Sequence, residues 1–257
     1  MNNEKTNDQI EKPYKSKKKQ DEMTFFEHLG ELRKRVLYSV GYILLFFMVA
    51  WNFKNQISTW LAVPMLKYLP KGGKLAVTAP TEAFMMYVKI SFIAGLFIAA
   101  PFIFHQLWKF ISPALYKKEK RMVWPFVIGT TVCFLAGGAF GYYFAFPWAC
   151  KFFIEIGLDY QQIITVNEYY SLATNVLLGI AIVFELPVLS YLLAKFGILT
   201  SRFLLKYFRY AIVLIFVVSA IITPTPDAVT QSMFAVPMIV LYLLSILIVK
   251  FVEPKDK

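Results

Sequence analysis

The sequence predicts an all-α, polytopic membrane protein with six transmembrane helices and both termini on the cytoplasmic side. Three observations lead there. Hydrophobic residues make up 58% of the 257 and charged residues only 17%, against roughly 45–50% and 25% in soluble domains. There are 25 Phe, 15 Tyr and 5 Trp, more apolar surface than a soluble chain of this length can bury. The apolar residues also fall into runs close to the roughly 20 residues that cross a bilayer, and Lys and Arg collect in alternate connections between them.

Residues 1–22 are polar and Lys-rich, with no apolar stretch or cleavage site of a signal peptide, and read as a disordered cytoplasmic tail. From 24 to 36, TFFEHLGELRKRV repeats Phe25, Phe26, Leu29, Leu32 and Val36 at helical spacing, an amphipathic helix entering the first span at 36–52. Thr24 with Glu27 forms a capping-box pattern. The segment 53–82, with Pro64, Pro70, Gly72 and Gly73, reads as a partly ordered outward loop. The second span covers 83–104, the third 123–146 and the fourth 169–194. The last two, 209–222 and 233–249, are short and joined by a hairpin at 223–232, implying a locally thinned bilayer. The membrane domain is thus 23–250, followed by a cytoplasmic tail at 251–257.

The net charge is +11, but the basic residues are spread between apolar runs and form no nucleic-acid-binding surface. Twenty-one of the 27 Lys and Arg precede the first span or lie in 105–122, 195–209 and the C-terminal segment. The other six lie in the alternate connections or near the span ends beside them, which assigns the first set to the cytoplasm. Two cysteines, Cys133 and Cys150, and two histidines, His28 and His105, offer no disulfide framework or metal-ligand spacing. No cofactor is expected, and no hydrolase or nucleotide-binding motif appears.

Four acidic residues stand out. Glu31 lies in the amphipathic segment beside Arg33 and Arg35; a collar at the lipid surface explains the basic residues, but an anionic leaflet gives a carboxylate no stabilisation. Glu119 is the one acid in the first cytoplasmic loop, HQLWKFISPALYKKEKRM. It either balances local charge or is held for a cationic partner, and the guanidinium fork of Arg suits such a carboxylate. Glu185 sits mid-span in the fourth helix, where an ionisable group costs at least about 2.5–3.5 kcal/mol. Pro187 frees the Val183 carbonyl beside it, so Glu185 is either packed with a hydrogen-bonding neighbour or part of a polar site. Asp227, after Pro224 and Pro226, is placed to cap the sixth helix.

These residues fall into motifs that resemble the TatC family, the multispanning receptor subunit of the twin-arginine protein translocase. Phe25, His28, Leu29, Glu31, Leu32, Arg33 and Arg35 give its F-x-x-H-L-x-E-L-R-x-R. The first cytoplasmic loop matches through Trp108, Phe110, Pro113, Leu115, Tyr116, Glu119 and Arg121, and F-E-x-P is Phe184, Glu185 and Pro187. The C-terminal series is Arg209, Tyr210, Ala211, Ile222, Thr223, Pro224, Asp227, Gln231, Pro237, Leu241 and Tyr242. Each motif alone is weak; together, in order, they cover about 24–250.

The resemblance implies a concave, glove-like bundle in the bacterial cytoplasmic (inner) membrane. It implies binding of the twin-arginine signal peptides of folded cargo at the cytoplasmic face, through Glu31, Glu119, Phe110 and Arg33. It further implies recruitment of small single-span partners of the TatA and TatB type, homo- and hetero-oligomers, transport driven by the proton-motive force, and no enzymatic step. Glu185 matches the family's intramembrane carboxylate, and Pro224, Asp227 and Gln231 its periplasmic bend. The chain departs from the pattern at Leu243, where a Glu is common, at Thr225 and at His105. The competing reading is a proton-coupled secondary transporter with Glu185 as coupling residue. That reading calls for inverted repeats with matching broken helices, and no convincing repeat is visible.

Overall fold

The computed structural model describes residues 25–68, 75–111, 123–157, 163–223 and 227–253. The expected tail, Thr24, Glu119 and Pro224 lie outside them. Ten α-helices are described: α1 Phe25–Asn52, α2 Lys54–Leu66, α3 Pro80–Ile111, α4 Val123–Phe140, α5 Phe146–Ile156, α6 Val166–Val183, α7 Leu186–Lys195, α8 Ser201–Lys206, α9 Phe208–Ile222 and α10 Ala228–Val252. A π-helical turn, Gly141–Ala145, joins α4 to α5. Five stretches are long and apolar enough to cross a membrane: His28–Asn52, Pro80–Ile111, Trp124–Ile156, Val166–Lys195 and Ala228–Val252; α9 is apolar but shorter.

α6 is the centre. Of its span's most apolar window, 44% is buried, against 6% for α1, so α6 is core and α1 an outer helix facing lipid. Val176, Ile180 and Ala181 of α6 are at most 1% exposed, and α3, α4 and α9 all pack on this helix. α1 lies along α3. The two backbones come close at Gly95, where a Cβ would stand 2.7 Å from the backbone nitrogen of Phe47. α4 approaches α6 in the same way at Gly137, where a Cβ would lie 2.7 Å from Ala181 Cα. Small residues at such crossings let helices pack without a hydrophobic driving force between them. α10 packs against α7, α8 and α9 and completes the bundle.

The expected 53–82 loop contains a helix. α2 forms although Pro64 sits inside it. Proline has no N–H, so the Trp60 carbonyl four residues earlier loses its intrahelical donor. Tyr142 Oη supplies one instead, donating to that carbonyl at 2.8 Å, and the Trp60 and Tyr142 rings stack at 3.8 Å. Tyr169 donates to the Leu61 carbonyl at 2.5 Å and Tyr170 to that of Ser58 at 2.9 Å. Three tyrosine hydroxyls thus dock α2 on the bundle. Beyond it, Ala76 exchanges two backbone hydrogen bonds with the 164–166 segment, Ala76 N to Ile164 O and Val166 N to Ala76 O, each 2.9 Å.

The third span runs farther than expected, to Ile156. The π turn adds a residue to the helical path before Pro147, so α5 continues at an adjusted phase. The fourth span is interrupted at Phe184–Glu185, between α6 and α7. Pro187 lies in the first turn of α7, where a missing N–H is tolerated.

Candidate functional site

One end of the bundle gathers the start of α1, the end of α3, the start of α4, the end of α7, all of α8 and the end of α10. The ring pairs His105–Trp124 and Trp108–Phe126 tie α3 to α4 there. Glu253 closes this end. It accepts from the Ser201 amide and hydroxyl, both at 2.6 Å, holding the tip of α10 on the N-terminus of α8. These bonds keep the Glu253 carboxyl below its ordinary range, the Ser201 hydroxyl contributing most.

α1 meets α3 at this end with its polar side inward. Leu29, Leu32 and Val36 are exposed on the outer surface, whereas Glu31 and Arg35 point toward α3 with side chains only 21% exposed. In water the apolar stripe of such a helix would turn inward; beside lipid the preference is removed, because the surroundings are apolar too. Arg35 Nε donates to Glu31 Oε1 at 2.6 Å, completing an i,i+4 ion pair, and Arg35 Nη1 donates to Gln106 Oε1 of α3 at 3.1 Å. Gln106 is buried. One turn beyond it, the Phe110 ring stacks on His28 with centroids 4.4 Å apart. The result is a narrow polar seam of Glu31, Arg35 and Gln106 with an aromatic pair at its mouth.

Of the residues expected to act together, Glu31 and Phe110 share this seam. Arg33 does not join it: two positions from Glu31 it lies about 200° around the helix and is exposed. Glu119 lies outside the described residues. Gln106, which fixes Arg35, was not anticipated; its signal was a lone amide near the end of an apolar run.

Glu185 is far along the bundle, between α6 and α7. It is 8% exposed, and its Oε1 has no hydrogen-bond partner among the described residues. Beside it, Phe184, Pro187 and Tyr191 line one wall of a largely apolar groove of about 700 Å³ closed by Cys133 and Val132 of α4 and Leu241 and Leu244 of α10. Glu185 itself is not in the groove's lining, and its Oε1 is buried behind the neighbouring residues that are.

Asp227 and Gln231 are at the opposite end. Asp227 caps α10, accepting from the Thr230 amide at 2.8 Å, as its sequence position suggested. The Gln231 carbonyl accepts from Ser219 Oγ of α9 at 2.7 Å, which fixes α9 and α10 as a hairpin; α9 is short as expected, but α10, at 25 residues, is longer than the expected 233–249. Among the described residues no cluster of three His, Cys, Asp or Glu is placed to hold a metal.

Comparison with known proteins agrees with the motifs. The family model described as "Sec-independent protein translocase protein (TatC)" matches residues 27–237. A protein of that name from Koribacter versatilis is 44% identical over 238 residues, 91% of this chain and 88% of the relative. One from Helicobacter pylori is 46% identical over 231 residues, 90% and 88% of the two chains. A crystal structure of the twin-arginine translocase receptor TatC superposes with a TM-score of 0.81 at 36% identity, covering 88% of this chain and 99% of that one.

Proposed function

Because this chain belongs to the TatC family of Sec-independent protein translocase proteins, we propose that its Glu31 seam receives the arginine pair of a signal peptide. The chain is a multi-pass membrane protein and a translocase receptor component, and it is not an enzyme. Its place is the cytoplasmic (inner) membrane, with the Arg35-bearing end and both tails on the cytoplasmic side, a reading supported by the distribution of Lys and Arg.

The observation that carries the proposal is the state of Glu31. Its carboxylate is already held by a guanidinium, that of Arg35, while Gln106 gives Arg35 a second anchor. The fork of a peptide arginine can take over the carboxylate, bonding both of its oxygens, while Arg35 keeps its hydrogen bond to Gln106. Phe110 offers a ring face for an apolar residue following the arginine pair. Glu119 supplies the second carboxylate. Arg33, exposed on the far side of α1, contributes to the basic collar that seats α1 at the lipid surface and joins the peptide site only from its rim.

Glu185 is the polar contact within the membrane, for the hydrophobic part of the signal peptide or the helix of a small single-span partner of the TatA or TatB type. The α9–α10 hairpin, in which Asp227 caps α10 and the Gln231 carbonyl is bonded by Ser219, presents the short α9 beside the longer α10 to such a partner, and the proton-motive force drives transport. Homo- and hetero-oligomers form through these faces.

Crosslinking of a labelled twin-arginine peptide tests the site: Glu31→Lys together with Glu119→Lys should abolish the crosslink, and unchanged binding would overturn the assignment. Deleting the chain should block export of folded cargo while small-molecule uptake continues; loss of uptake alone would favour the transporter reading.

A further inference from the structure

Lys89 of α3 is a cation with no carboxylate against it among the described residues. Its Nζ donates to Asn167 Oδ1 at 3.0 Å and to Ser171 Oγ at 2.8 Å, both on α6. Both partners are neutral, and an ammonium has three donors. The third has no partner among the described residues.

The depth of Lys89 limits what that group is. From Ile90 to Trp108, α3 carries no Asp, Glu, Lys or Arg, a length of about 28 Å at 1.5 Å per residue, close to the roughly 30 Å of bilayer hydrocarbon. Lys89 therefore stands at the edge of the hydrocarbon. A long helical side chain points back toward its helix N-terminus, which here leads out of the hydrocarbon, to the level of lipid phosphates.

A cavity lies beside the two residues that Lys89 bonds. Asn167, Ser171 and Asn175 recur every four residues and make a polar stripe along α6. The stripe lines a cavity of about 640 Å³ whose opposite wall includes Phe153 and Ile154 of α5, with Leu172 beside the stripe and Glu168 also in the lining. Glu168 is exposed and pairs with no described cation. Amides, carboxylate and apolar wall thus line one cavity, and Lys89 reaches its edge through Asn167 and Ser171.

We propose that this cavity is a binding site for an aminophospholipid of the adjoining leaflet. Lys89, with Asn167 and Ser171, takes the phosphodiester. Glu168 takes the primary ammonium, and the first methylenes of an acyl chain lie on Phe153, Ile154 and Leu172. A free phosphate leaves the apolar wall and Glu168 unused. An anionic glycerol headgroup brings no positive charge for Glu168. A choline headgroup has no N–H to donate to a carboxylate.

The test is native mass spectrometry of the purified full chain released from nanodiscs containing phosphatidylethanolamine, phosphatidylglycerol and phosphatidylcholine in equal amounts. The wild type should retain phosphatidylethanolamine over each of the others by about tenfold, the scale of one charge-assisted hydrogen bond. Lys89→Gln should abolish retention, and Glu168→Gln should keep binding but remove the headgroup preference. Asn167→Ala with Ser171→Ala reads the same phosphate contacts if Lys89→Gln does not fold. Equal retention of all three lipids, retention unchanged in both the Lys89 and the double variant, or displacement of lipid by inorganic phosphate alone would overturn the proposal.

Discussion

Arg35 of α1 donates to the side-chain carbonyl of Gln106 on α3 at 3.1 Å, across 71 positions of sequence, while the same guanidinium holds Glu31 one turn back. Arg35 is thus both the lock between two spans and the internal occupant of the carboxylate that the signal peptide would use.

The two roles separate in mutants. Glu31→Gln removes the charge the peptide arginine needs and should weaken twin-arginine peptide binding by about tenfold or more, the scale of a charge-assisted hydrogen bond. It should hardly move thermal stability, since a partly exposed i,i+4 pair contributes only about 0.3–0.5 kcal/mol. Arg35→Gln removes the competitor and should leave peptide affinity equal or higher. A loss of affinity in Arg35→Gln as large as in Glu31→Gln, measured by fluorescence anisotropy, would show that Arg35 and not Glu31 is the recognition element.

Tyr142 replaces the donor that Pro64 cannot supply to the Trp60 carbonyl. Tyr142→Phe should therefore destabilise the protein by about 1 kcal/mol, the usual net value of one hydrogen bond. Pro64→Ala introduced into that variant restores an amide at the right position and should recover much of the loss. The two changes are then non-additive in a double-mutant cycle read by thermal unfolding in detergent; simple additivity would mean that the hydroxyl and the proline are not linked through Trp60.

Gly95 and Gly41 should respond in opposite directions. A methyl at Gly95 would enter the backbone of α1 at Phe47, 2.7 Å away, whereas one at Gly41 meets nothing within 4 Å. Gly95→Ala should cost about 1–3 kcal/mol as α1 is pushed off α3. Gly41→Ala should add up to about 1 kcal/mol through helix propensity. Equal effects in unfolding titrations would refute the close α1–α3 crossing.

The Glu253–Ser201 clasp has a definite pH signature. The bonds from Ser201 lower the folded-state pKa of Glu253, so its contribution is complete above the ordinary carboxylate range and disappears as pH falls through the lower, folded value. Hydrogen exchange of the first α8 amides should quicken only in acid. In Ser201→Ala, which removes the largest cause, the quickening should begin at a higher pH.

Much of this was legible from residues alone, for identifiable reasons. The apolar runs marked the long helices because hydrocarbon thickness sets their length, and Asp227 marked the start of α10 because a carboxylate there meets free amides. α2 was hidden because Pro64 argues locally against a helix, and the three tyrosines that offset it lie 82–112 positions away. The π turn at Gly141–Ala145 has no local signature. The inward face of α1 was hidden for a different reason. Amphipathic patterning separates two faces, but in a lipid surrounding it does not say which one packs, and Gln106 on another helix decided that.

Glu185 combines both kinds of information and makes the strongest prediction. Its sequence position announced a costly carboxyl in a span; the structure adds that Oε1 has no hydrogen-bond partner among the described residues and that a groove of about 700 Å³ opens at the neighbouring Phe184 and Pro187. A buried polar atom without a partner costs about 1–3 kcal/mol, and replacing such a group by an apolar one of similar volume is often neutral or stabilising. Glu185→Met should therefore leave thermal stability unchanged or higher and still lower export of a folded reporter. A packed, purely structural carboxyl would behave the other way, with stability and export falling together. Glu185→Gln separates charge from hydrogen bonding: full export in that variant would mean that the groove needs a polar contact, and export lost as in Glu185→Met would mean that it needs an ionisable one.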